Sequence, residues 1–205
     1  MDARTAEVRR LLDRYLVEVV EAFDLCPWAR GARLAGEIAV DVVWGVPAPE
    51  QFAASARALL AAPATRVAMV VAPELAADPA ELRAIRDRVA AMLPTAGVAD
   101  FHPAAALDLE TPARLVPFLR RSPDPMLQLV PLAILDRVRA APAVADRPLQ
   151  AQILGGAAPP PRAETADRIA LANHGTVSAD AGAIAARLDE IARDRARSYA
   201  RLAIG

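Results

Sequence analysis

"TRVAMVVAPELAADPAELRAIRDRVAAML", residues 65–93, decides the fold class. Its first part, 65–73, is a β-branched apolar run ending in Pro, which predicts a strand apolar enough to be central in a sheet. Its second part carries the start signals of a helix. Asp78 stands as N-cap, Pro79 takes the first helical position, and Glu81 lies where its carboxylate can reach back to the cap. Residues 78–93 are therefore predicted as a helix. A central strand leading into a capped helix is the unit of a layered α/β domain.

The flanks repeat the unit. Upstream, "GEIAVDVVWG" (36–45) predicts a strand between glycines, and 49–62 a helix with Pro49 in its first turn. Downstream, "GVADFHP" (97–103) predicts a short strand. Helical crossovers favour parallel neighbours joined right-handedly. The expectation is a layered sheet of three to five mostly parallel strands, with flanking helices and a helical C-terminal segment. "MLQLVPL" (126–132) adds a fourth strand, which Pro131 should cut short or place at an edge. A helix over 132–141 follows.

At the N-terminus, Val8, Leu11, Leu12, Tyr15, Leu16, Val19, Val20 and Phe23 recur at three- and four-residue spacing and predict a helix over 5–24. The α/β domain is expected to run from 1 to 154. A Gly/Pro-rich connector, "GGAAPPPRA", spans 155–163. Residues 164–205 read as a helical C-terminal segment made of two helices, 164–175 and 180–205. That segment is expected either to pack on the domain or to form a homodimer through its last helix.

Charge narrows the partners. Arg supplies all 24 basic residues against 25 acidic ones, for a net charge of −1, so nothing in the balance calls for nucleic acid or an anionic membrane surface. No Schiff-base or general-base lysine is available. The single cysteine rules out an intrachain disulfide and fits a reducing cytoplasm. Charges run through the first helix to Glu21, so no secretory leader is expected. No stretch of ~18 uncharged apolar residues suggests a membrane span.

Four segments hold residue types that carry chemistry. The first is "LCPWARG" (25–31). Pro27 should end the first helix near Leu25 and open a new helical turn, placing Cys26 between two helix ends. The end of the first would disfavour a thiolate. The start of the second, with Arg30 and Arg33, would favour one. The other reading is a small buried thiol packed under Trp28. A thioredoxin-like dithiol is excluded, because the resolving position is Ala29 and the cysteine follows a helix. The second segment is "FHP", with His102 at the carboxyl end of a strand, where open α/β sheets bind ligands. His102 reads either as acid or base or as a capping side chain. The third is "RRSPDP" (120–125), whose prolines would aim Arg121 at a carboxylate or phosphate, or simply make a surface turn. The fourth is "ANHG" (172–175), with Asn173 and His174 at an expected helix end capped by Gly175.

Other signatures are absent. There is no Gly-rich phosphate loop, nucleophile elbow or HExxH, and two histidines with one cysteine form no cluster of zinc spacing. Neither a cofactor nor a metal is expected.

In order along the chain, "LCPWA", "FHP" and "RSPDPMLQL" resemble a bacterial domain-of-unknown-function family, number fourteen-fifteen. Its members carry Leu-Cys-Pro-Phe-Ala, Phe-His-Pro and Arg-Ser-Pro-x-Pro-x-x-His-Leu-Leu segments. The resemblance spans roughly residues 8–177. It implies attention to Cys26, Pro27, His102, Pro103, Arg121, Ser122, Pro123 and Pro125, with Asn173 a looser match. Trp28 replaces the usual Phe, and Gln128 stands where the family tends to have His. The resemblance locates a site without naming a reaction.

The functional expectation has two forms. One is a small transferase or hydrolase acting on an anionic metabolite. In it Cys26 and His102 do the chemistry, Arg121 with Ser122, Trp28 and Asn173 hold the substrate, and the three motifs converge near the strand carboxyl ends. The other is a non-enzymatic ligand-binding or protein-interaction module in which the same motifs are structural.

Overall fold

A computed structural model describes residues 2–140 and 162–204. Four strands form one sheet: β1 (Ile38–Val42), β2 (Val67–Val71), β3 (Ala96–Phe101) and β4 (Met126–Pro131), in the order β1-β2-β4-β3. The fold is α/β, as expected, but its pairing is mixed. β1 and β2 are parallel, while β4 runs antiparallel to both β2 and β3. Three strands thus point one way, yet only one adjacency is parallel. β4 inserts between β2 and β3, a place the linear strand–helix alternation does not reveal. Pro131 does end β4 but does not put it at an edge. It falls on the last paired residue, opposite Ala96.

Helices cover both faces. On one side lie α3 (Pro49–Leu60) and α4 (Pro79–Met92), packed on Ala68, Val70, Leu127 and Leu129. The capping box read from the sequence forms: Asp78 accepts from the Ala80 and Glu81 amides at 2.8 Å, and Glu81 accepts from the Asp78 amide at 2.7 Å. On the other side lie α1 (Ala3–Tyr15), α5 (Pro112–Leu119) and the long C-terminal helix, over Val42, Met69, Val71 and Met126. β2 is buried on both faces, and each fully buried valine in it contributes on the order of 1.5–3 kcal/mol.

The first helix does not continue to residue 24. After Tyr15 it widens into a π-helical stretch, Leu16–Glu21, and a short helix, α2 (Ala29–Leu34), follows the turn. α5, unforeseen from the sequence, starts at Thr111, whose hydroxyl accepts from the Arg114 amide at 3.3 Å. The helix after β4 is α6 (Leu132–Ala140). The expected connector lies outside the described residues up to 161. Beyond it, α7 (Arg162–Leu202) is one unbroken helix, which corrects the expected break at Gly175. Val177, Ile184, Leu188, Ile191 and Tyr199 of α7 are buried in the same core as Val8, Leu11 and Tyr15 of α1.

β1 is an edge strand, and its outward-facing groups are covered locally. The Val40 carbonyl accepts from Arg9 Nη2. The Val42 amide donates to the Asp41 carboxylate at 2.9 Å, and that carboxylate also accepts from Ser55 of α3 at 2.6 Å. Side chains that occupy an edge in this way block strand addition.

Candidate functional site

The crevice beyond the carboxyl ends of β1 and β2 is the usual ligand position in such sheets. Here it is filled. Arg4 stacks on Trp44, with Cζ 4.2 Å from the ring centre, and pairs with Glu74. Glu74 in turn accepts from the Gly45 amide at 2.8 Å. An open space lies on the α1 face of the sheet.

That space is a cavity of about 220 Å³ between the π-helical stretch, α2 and the sheet. Its floor includes Met69 of β2 and Met126 and Gln128 of β4. Its walls include Tyr15, Leu119 and Phe101, and Cys26 and Trp28 border it from the turn before α2. The turn follows from Pro27, which sits at its second position while the Ala29 amide donates to the Cys26 carbonyl at 3.1 Å. Asp24 enters the segment at φ 49° and Gly36 leaves it at φ 69°, both in the left-handed region. Between those corners α2 has no buried residue, and Trp28 and Leu34 are exposed. One bidentate ion pair ties the segment down: Arg33 donates to the Glu21 carboxylate at 2.6 and 2.9 Å.

Among the described residues no Arg, Asp, Glu or His lines the cavity. Tyr15 is neutral there: burial, with Cys26 adding to it, pushes its phenol well above the ordinary range. Its hydroxyl donates to the Leu119 carbonyl at 3.3 Å.

Of the six residues singled out from the sequence, Cys26 and Trp28 line this cavity, and His102, Arg121, Ser122 and Asn173 do not. The expected meeting of Cys26, His102 and Arg121 in one anion pocket is therefore replaced by a different arrangement. The His102 ring is occupied on both sides by backbone. Nε2 lies 2.8 Å from the Ala77 carbonyl, and Nδ1 accepts from the Ala104 amide at 3.0 Å. That pattern requires the tautomer protonated on Nε2 and leaves no nitrogen for a substrate. Arg121 donates through Nε to the Pro103 carbonyl at 3.0 Å and lies 3.7 Å from Asp189. The His102 amide also donates to the Arg120 carbonyl at 3.0 Å. The Phe-His-Pro and Arg-Ser-Pro segments thus meet as a backbone joint. They reach the cavity only through the neighbours Phe101, Leu119 and Met126.

Ser122 and Asp124 are buried in the same joint. The Ser122 hydroxyl donates to the Asp124 carbonyl at 2.5 Å. The Asp124 carboxylate accepts from Arg195 Nε and from the Tyr199 hydroxyl, each at 2.7 Å, and so fastens α7 to the start of β4. Burial raises the Asp124 carboxyl pKa, and the two donors oppose the rise. His174 is not at a helix end. It lies inside α7, where its Nε2 is 2.8 Å from the Leu109 carbonyl, and Asn173 precedes it on the same helix. No group of three or more His, Cys, Asp or Glu able to hold a metal occurs among the described residues. No helix among them is long and apolar enough to cross a membrane.

Sequence reasoning missed Gln128 as a site residue. The signal was its place in "MLQLVPL": strand alternation puts it on the face of Met126, where every other strand position of that β2–β4 row is apolar. No family model matches the chain, nor does any curated protein or solved structure.

Proposed function

We propose that this protein is a binding module for a small, uncharged, largely apolar molecule held beneath the Leu25–Trp28 segment. The observation that carries the reading is the cavity of about 220 Å³ whose lining holds no charged side chain among the described residues. An engineered apolar cavity of about 150 Å³ is already large enough to take up benzene, so a substituted benzene fits the space here. A transferase or hydrolase working on an anionic metabolite has less support. Such an enzyme needs a free ring nitrogen, and backbone groups hold both nitrogens of His102, while neither His102 nor Arg121 lines the cavity.

Cys26 provides the readout, because it is the only thiol in the chain and lines the cavity. Propylbenzene should slow alkylation of Cys26 by iodoacetamide in a saturable way. Ala32→Phe, which fills the cavity from α2, should abolish that protection while the fold is retained by circular dichroism. Alkylation indifferent to propylbenzene, with no binding by ligand-observed NMR, would overturn the proposal.

A further inference from the structure

We infer that Gln128 is the specificity-determining residue of this cavity, and that the ligand carries one neutral hydrogen-bonding head, a carboxamide or an equivalent group, on an apolar body. This rests on the binding reading above and deepens it.

The argument starts from the sheet. Gln128 lies in β4, an interior strand, paired with Met69 on one side and Ala99 on the other. Cross-strand partners point to the same face, so its side chain stands with Met69 and Met126 toward the α1 layer. That layer is the larger apolar core of the protein. A polar side chain at such a position normally finds a protein partner, because an unpaired amide costs about 1–3 kcal/mol once it leaves water. Tyr15, the hydroxyl-bearing wall, follows that rule through Leu119. Gln128 has no such partner: it is half-buried, none of the hydrogen bonds found among the described residues involves its amide group, and the residue lines the cavity.

For stability alone, Leu or Met at 128 would serve this core better. The amide supplies one acceptor and two donors from a fixed floor. A carboxamide head matches it with one N–H donated and one accepted. A carboxylate would be left with one oxygen facing an apolar wall and no cation lining the site. The Arg120 guanidinium, which sits 6.0 Å from the ring centre of the wall residue Phe101, lies 3.9 Å from Asp100 and does not line the cavity.

Three molecules of equal heavy-atom count and one skeleton separate these cases: 3-phenylpropanamide, 3-phenylpropanoate and isopentylbenzene. Calorimetric titration of the full chain should show the amide and the hydrocarbon binding and the carboxylate not. In Gln128→Leu and in Gln128→Met the amide-to-hydrocarbon affinity ratio should fall by about tenfold, the scale of one net hydrogen bond. Thermal stability of both variants should stay equal or rise, an outcome that a structural role for Gln128 would reverse. An unchanged ratio in both variants, or tightest binding by the carboxylate, overturns the assignment while leaving the cavity a binding site. Failure of all three molecules to bind removes the cavity reading itself and the assignment with it.

Discussion

Replacing Asp124 by Ala should unfold the link between α7 and the sheet. The Asp124 side chain is 3% exposed and holds two partners at 2.7 Å, Arg195 and Tyr199. Removing one member of a buried ion pair costs about 3–5 kcal/mol, because the other charge is left without compensation. Arg195 keeps part of its environment: its Nη2 donates to the Pro73 carbonyl at 3.2 Å, and its Cζ lies 4.2 Å from the centre of the Tyr199 ring. Its side chain is also 29% exposed, so water can solvate the orphaned guanidinium in part. The lower end of the range applies, about 3 kcal/mol. For a chain of this size each kcal/mol lowers Tm by about 2–4 °C, so the fall should be roughly 6–12 °C. Urea unfolding followed by far-ultraviolet circular dichroism measures the free energy directly. Tyr199→Phe keeps the stacked ring and loses one hydrogen bond, and should cost only about 1 kcal/mol. If Asp124→Ala costs no more than Tyr199→Phe, the carboxylate is not the joint described here.

Two further outcomes test the long helix and its seam. Gly175 lies inside α7 with no positive φ, and an added Cβ would meet nothing within 4 Å. Gly175→Ala should therefore stabilise the protein by about 0.5–1 kcal/mol in the same unfolding assay, and a loss would place a helix end there after all. Asp194 of α7 accepts from Arg10 at 2.8 Å and Arg14 at 2.6 Å, both on α1, and the Arg10 hydrogen bond leads in holding its carboxyl below the ordinary 3.8. A depressed folded pKa gives stability that is complete well above 3.8 and lost as pH falls through 3.8 toward the folded value. Asp194→Asn should cost up to about 1 kcal/mol at neutral pH and progressively less as the pH falls below 3.8; a cost that does not fall with pH would refute the charge pairing.

The parts of the fold that local signals control were legible. Asp78, Pro79 and Glu81 marked the start of α4, and the unbroken apolar run marked β2 as interior. The insertion of β4 between β2 and β3 was not legible, because strand order depends on contacts distant in sequence. α5 carried the same kind of signal at Thr111 and Pro112, but Pro117 inside the eight-residue helix masked it. Gly175 misled in the opposite direction. It reads as a C-cap, yet Val177, Ile184 and Leu188 beyond it are buried in the core shared with α1 and α5, and that packing outweighs the roughly 1 kcal/mol a mid-helix glycine costs.

In the candidate site the conspicuous motifs do structural work. His102, Arg121, Ser122 and Asp124 attract attention as reactive residue types, and each is engaged by a backbone carbonyl, a backbone amide or a buried partner. A side chain such as His102, whose donor and acceptor are both matched inside the fold, has little left with which to bind or transfer anything. Gln128 belongs to no reactive class, yet among the described residues its amide makes no hydrogen bond, and it lies on the floor of the cavity. The proline-fixed motifs build the walls of that space through Phe101, Leu119 and Met126, and Cys26 closes it at the turn. Selectivity in such a cavity follows from what the walls exclude, which is charge, and from the amide that its floor offers.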